Sequence, residues 1–221
     1  MNGASSGQRD YVPAAPQLWL YDALVIALAW APRWRAALLA QLAPREGDVI
    51  ADVGCGTGTQ LVKIGRAAPG VTLVGIDPDP EVLQRARRKL ARARVVAALT
   101  RGHARDAEAL LRHRGVNKVV SSLVFHQVPL VEKEAGLAAM RAALVPAGEL
   151  HVADYGLQRT PLMRNLFRIV QAGDGFANTE PNARGVLPEL MAKVGFARVR
   201  ETAVIATPTG SVSLYRAERG R

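Results

Sequence analysis

The chain has 221 residues, 49% of them hydrophobic, enough for one domain with a sizeable core and a modest extension. Its single cysteine, Cys55, excludes a disulfide scaffold within the chain and a multi-cysteine metal site, and points to a reducing compartment. The net charge of +10 comes mostly from arginine in an alanine-rich background, which reads first as compositional bias and second as attraction to an anionic partner: nucleic acid, anionic lipid or an acidic substrate.

Residues 1–16 are small, polar and proline-containing and are expected to form a flexible tail. Residues 17–46 read as an N-terminal helical cap, two helical stretches separated near Pro32, a residue suited to a helix's first turn. The most apolar run, residues 18–31, carries Asp22 and falls short of the roughly 20 residues of a membrane span. Ala27-Leu28-Ala29 imitates a signal cleavage site, but Arg9 is offset by Asp10, so no basic start precedes it and no secretory signal is expected.

From residue 47 to 221 a single domain is expected. Strands are predicted at 48–53, 71–76, 95–100, 118–124 and 149–153, with helices at 59–67, 80–91, 106–113 and 132–144 between them. This alternation implies a parallel sheet covered on both faces. The last third reads as a helix at 160–173, a polar loop at 174–182, a helix at 185–194, and strands at 197–206 and 211–217. The short 207–210 connection makes those two strands antiparallel.

The chemistry gathers where the first strand ends on Asp52 and runs into Gly54, Gly56, Thr57 and Gly58. Glycine permits positive φ and removes the Cβ that would keep a ligand off the backbone, and the helix from Thr59 turns unpaired N–H groups toward an anionic group. The spacing is G-x-G-x-G, with Thr59 where a dinucleotide fingerprint needs its third glycine, and no lysine follows as in a triphosphate loop. Asp77, at the end of the second strand and followed by Pro78, either accepts ribose hydroxyls or caps the next helix.

Residues 49–58 followed by Gly75-Ile76-Asp77-Pro78 resemble the first two motifs of class I S-adenosylmethionine-dependent methyltransferases, most closely the UbiE-like (ubiquinone/menaquinone methyltransferase-like) subgroup. Residues 121–129 (SSLVFHQVP) and 144–155 (LVPAGELHVADY) extend the resemblance, which spans about residues 21–216. It implies a Rossmann-like α/β three-layer sandwich whose seven-stranded, mostly parallel sheet has an antiparallel last strand, with S-adenosyl-L-methionine as cofactor and no metal. It also implies cofactor contacts at Asp52, Gly54, Gly56, Thr57, Gly58, Asp77, Pro78 and Ser122, and adenine contact at His103-Ala104, with Asp106 as the alternative. His103, Val116-Asn117 and Ala147 depart from the family's usual residues.

A sulfonium methyl is already activated, so alignment and water exclusion are the main demands. His126, after the fourth strand, is the candidate catalytic base, with a structural histidine as the alternative; Tyr21, His126, Asp154 and Tyr155 are the expected substrate pocket. Residues 85–94 carry Arg85, Arg87, Arg88, Lys89, Arg92 and Arg94, read as a solvated helix face or as a peripheral contact with anionic membrane; without interleaved aromatics, nucleic acid is disfavoured. Trp19, Tyr21, Trp30 and Trp34 in the cap suit a small, apolar or lipid-like substrate such as a quinone precursor or aminophospholipid. The expectation is a cytoplasmic, small-molecule methyltransferase that is soluble or membrane-peripheral; the alternatives are an RNA methyltransferase and a non-catalytic cofactor-binding protein.

Overall fold

The structure is a computed structural model that describes residues 31–220. The expected tail, the first part of the cap, and Trp19, Tyr21 and Trp30 lie outside the described residues. Helix α1 (Ala31–Leu42) leads into β1 (Val49–Val53), α2 (Thr59–Ala67), β2 (Thr72–Asp77), α3 (Pro80–Ala93) and β3 (Ala98–Arg101). A 3₁₀ turn (Ala104–Asp106), α4 (Ala107–Leu111), β4 (Lys118–Ser122), a second 3₁₀ turn (Phe125–Gln127), α5 (Leu130–Ala143) and β5 (Glu149–Tyr155) follow. The chain closes with α6 (Pro161–Asp174), α7 (Phe176–Ala183), α8 (Val186–Lys193), β6 (Phe196–Thr207) and β7 (Gly210–Arg219).

The seven strands form one sheet in the order β3-β2-β1-β4-β5-β7-β6. β1 to β5 pair in parallel, and β7 is antiparallel to both β5 and β6. The apolar run of β1 explains its central place: four of its five residues are buried, as a strand covered on both faces requires. Its side chains alternate between two cores, Ala51 and Val53 facing the one that holds Leu137 and Met140 of α5, Ile50 facing the one that holds Trp34, Leu38 and Leu42 of α1. The order reverses between β1 and β4, which opens a crevice at the carboxyl ends of those strands, where open α/β sheets bind their ligands. Among the described residues no helix is long and apolar enough to cross a membrane.

Two local expectations are corrected. β3 begins at Ala98, three residues late, because Val96 stands 89% exposed before the strand enters the sheet. Residues 174–182, read as a polar loop, hold most of α7. Its asparagine, threonine and proline residues have poor helix propensity, but its polar side chains point inward: Asn178 Nδ2 donates to Gln127 O at 3.1 Å, Asn182 Nδ2 to Tyr155 O at 3.0 Å, and Glu180 takes Arg184 and Arg164. Tertiary contacts override the propensity.

Candidate cofactor and acceptor site

Three glycines shape the turn after β1, and they do different work. Gly54, Gly56 and Gly58 have φ of 77°, 52° and 75°. A Cβ on Gly54 would lie 2.1 Å from Val124 Cγ2, so the protein's own packing requires that glycine. A Cβ on Gly56 would meet nothing within 4 Å: the turn keeps open space there. The amides of Gly54 and Cys55 donate to Ile76 O at 2.8 and 2.9 Å, tying the turn to the end of β2. Gly58 caps α2 in a left-handed conformation with no side-chain cap, leaving the first helical amides for another acceptor.

Asp77 reaches across this turn, its carboxylate accepting from the Gly56 amide at 2.9 Å and the Asp79 amide at 3.0 Å. The helix-capping role left open for Asp77 belongs to Asp79, which accepts from Glu81 N at 2.8 Å and Val82 N at 3.2 Å. Burial raises the Asp77 carboxyl above its ordinary range, against the lowering effect of its backbone donors. Lys89, read from sequence as part of a solvated face, turns its ammonium to Thr57 Oγ1 at 2.6 Å and Thr59 Oγ1 at 2.7 Å and braces the loop from outside. Arg87, Arg88, Arg92 and Arg94 are exposed as expected.

Beneath the turn, Asp52 is fully buried, and neither of its carboxylate oxygens has a hydrogen-bond partner among the described residues. Burial pushes its carboxyl up to about 7, with Arg35 acting in the opposite direction and Asp77 adding to the rise. Gln60, in the first turn of α2, is 1% exposed and its amide is likewise unpartnered. Buried polar atoms without partners are rare in folded proteins and mark places where another molecule completes the set. A buried acid beside open backbone is chemically suited to a cationic group.

Two residues beyond β3, His103 is half-buried and near enough to Asp77 to oppose, as a minor cause, the rise of its carboxyl. The His103 amide donates to Asp106 Oδ2 at 2.8 Å, and its side chain accepts from the Asp106 amide, so the two residues close a capping box on the 3₁₀ turn. The Ala104 methyl points away, toward α5: a Cβ on Gly136 would lie 2.9 Å from it. Pro78 and Ser122 are half-buried, at the ends of β2 and β4 on the same edge.

The acceptor side holds the largest corrections. His126, expected as a catalytic base, is 3% exposed with both ring nitrogens against carboxylates: Nδ1 to Asp154 Oδ1 at 2.7 Å and Nε2 to Asp174 Oδ2 at 3.3 Å. Burial alone would push the imidazole down, but ion pairing with Asp154 and hydrogen bonds to Asp154 and Asp174 outweigh it and hold the ring up at about 9. A buried ring with Nδ1 hydrogen-bonded to Asp154 and Nε2 facing Asp174 is placed as a structural histidine rather than as a base for a substrate. Asp154 is no pocket wall either. Its Oδ2 accepts from the amides of Val124 and Phe125 at 2.9 and 2.7 Å, and its Oδ1 from the amide of Tyr155 at 2.8 Å. Tyr155 is 3% exposed, stacks edge-on to His126 with centroids 4.9 Å apart, and shares its hydroxyl with Thr209 Oγ1 at 2.7 Å. Tyr21 lies outside the described residues.

Sequence reasoning missed Lys133, Asp174 and Asn182. Lys133 is fully buried in α5, its ammonium donating to the carbonyls of Phe125, Val128 (2.8 Å) and Asn178 (2.9 Å). The usable signal was Asn178 and Asn182 at i,i+4 with the Glu180–Arg184 pair beside them, helical spacing inside a polar stretch.

The strand order and the two layers of helices are those of the Rossmann-like fold of solved methyltransferases. Residues 50–148 match the family described as a methyltransferase domain. An uncharacterized methyltransferase of Mycobacterium tuberculosis is 32% identical over 129 residues, 58% of this chain and 60% of the relative; the chain thus spans less than two thirds of the curated relatives it matches. Among solved structures, an O-methyltransferase family protein from Burkholderia thailandensis superposes with a TM-score of 0.70 at 18% identity, covering 91% of this chain and 58% of that one. Magnesium protoporphyrin IX methyltransferase from Synechocystis, with bound S-adenosylhomocysteine, gives 0.62 at 16%, covering 86% and 82%.

Proposed function

We propose that the protein is an S-adenosylmethionine-dependent methyltransferase of the UbiE-like kind, acting on a small apolar or lipid-like acceptor. The observation that carries the reading is the unpartnered, buried carboxylate of Asp52 beside the open space at Gly56, with Asp77 on the same turn. Asp52 fits the cofactor's ammonium, the uncapped start of α2 its carboxylate, Asp77 the ribose hydroxyls and His103 the purine. When bound, the cofactor supplies a sulfonium methyl that needs no further activation. The chain's residues then have to hold the acceptor in line and keep water out.

Because His126 is buried against two carboxylates, the favoured acceptors need no base from that position: a neutral amine, or an oxygen or carbon that arrives ionised. An apolar acceptor is supported by Leu162, Ile169 and Phe176, exposed large side chains along the α6–α7 segment. The test is calorimetry with S-adenosylhomocysteine, where micromolar binding is expected, followed by methyl transfer from labelled cofactor into quinone, phenol and lipid extracts and into RNA. Absence of binding overturns the reading. Label in RNA alone replaces it with the nucleic-acid alternative, and binding without turnover across all extracts replaces it with a non-catalytic cofactor-binding role.

A further inference from the structure

One face of α3 sends two side chains to the glycine turn. Ala86 is fully buried, and a Cβ on Gly58 would lie 3.2 Å from the Ala86 Cβ, so helix and turn are in contact there. Three residues further along the same face, Lys89 is half-buried and donates to Thr57 Oγ1 at 2.6 Å and to Thr59 Oγ1 at 2.7 Å. The two threonines flank Gly58, the left-handed residue that opens α2 without a side-chain cap. An ammonium has donors only, so each hydroxyl it touches is an acceptor on that side and must turn its single proton elsewhere. The placement also runs against helix electrostatics: a cation at the amino end of α2 meets the positive end of the helix dipole, where an anion is favoured. Gln60, buried and unpartnered among the described residues, belongs to the same first turn, and the open space at Gly56 is two residues before it begins.

We propose that Lys89 is a positioning residue for the cofactor: acting through Thr57 and the start of α2, it sets the affinity for the carboxylate of the ligand's amino-acid moiety. The turn separates charge along its length, with the Asp52 acid at its strand end and the Lys89 cation at its helix end, and the two match the two charges of a zwitterion. Lys89 keeps the Thr57 hydroxyl as a donor, in a charge-assisted chain that runs from ammonium to hydroxyl to carboxylate. The positive charge of α3 therefore acts on the site at one position, and its exposed neighbour Arg88 does not share the task. This role rests on the cofactor reading above.

The experiment is calorimetry, direct or by displacement, with two probes: S-adenosylhomocysteine, and 5′-methylthioadenosine, which shares its adenine, ribose and sulfur but has no amino-acid carboxylate. Lys89→Met should weaken S-adenosylhomocysteine about tenfold and leave 5′-methylthioadenosine within about twofold of the wild type. Arg88→Met, which removes the same charge from the exposed face of α3, should leave both probes within about twofold. Lys89→Arg keeps the charge and the donors and should restore S-adenosylhomocysteine to within about threefold. Thr57→Val should cost about as much as Lys89→Met, and the double variant no more than about twentyfold, because the lysine works through the hydroxyl. Denaturant unfolding of each variant checks that the fold is kept. Unchanged S-adenosylhomocysteine affinity in Lys89→Met, an equal loss of both probes, or a double variant weakened about a hundredfold overturns the role of Lys89 and leaves the cofactor reading standing. A wild type that binds neither probe overturns both.

Discussion

The two ends of the crevice handle buried polarity in opposite ways. At the glycine turn groups are left open: Asp52 and Gln60 are buried without partners among the described residues, and the space beside Gly56 is clear. Around Asp154 a denser set of charges is almost fully paired internally, with both carboxylate oxygens, both His126 nitrogens and the Lys133 ammonium engaged. An incomplete set calls for a ligand and a completed one holds segments together. A charged residue in a crevice is therefore informative about function only once its partners are counted.

That contrast can be broken by substitution. The largest effect is expected from Asp154→Ala, which strands His126 and three amides in a fully buried place: a loss of about 3–5 kcal/mol in denaturant unfolding, with the folded fraction still binding S-adenosylhomocysteine. Asp77→Ala should do the reverse, weakening S-adenosylhomocysteine by about 30- to 100-fold in calorimetry while costing less stability than Asp154→Ala. Equal losses of binding in the two variants would erase the distinction. The smallest effect concerns Asp52. Its carboxyl sits near 7, and a cationic ligand prefers the ionised form, so affinity should rise about tenfold from pH 6 to pH 8. Asp52→Asn should flatten that slope; a slope that persists assigns it to another group.

The glycine-turn half was legible because its chemistry is local. Gly54, Gly56, Gly58 and Asp77 are read from spacing, and strand alternation placed them at the carboxyl edge. What spacing could not do was divide labour between Asp77 and Asp79, both plausible caps; that needed the geometry of their amide donors. The acceptor half was misread for the converse reason. α7 looked like a loop because its polar residues turn toward the protein, and His126 looked like a base because Asp174, its second partner, is 48 positions away in sequence. Long-range pairing of charges leaves no periodic trace.

One consequence concerns the single cysteine. Cys55 is 7% exposed inside the glycine turn, its Sγ 3.0 Å from where a Gly75 Cβ would stand, and burial, reinforced by Asp52 and Asp77, pushes its thiol far above the ordinary range. Alkylating reagents reach it only in the moments when the turn springs open. The chain thereby carries its own stopwatch: the labelling rate of one native atom times the breathing of the loop, and any molecule that seats there slows the clock.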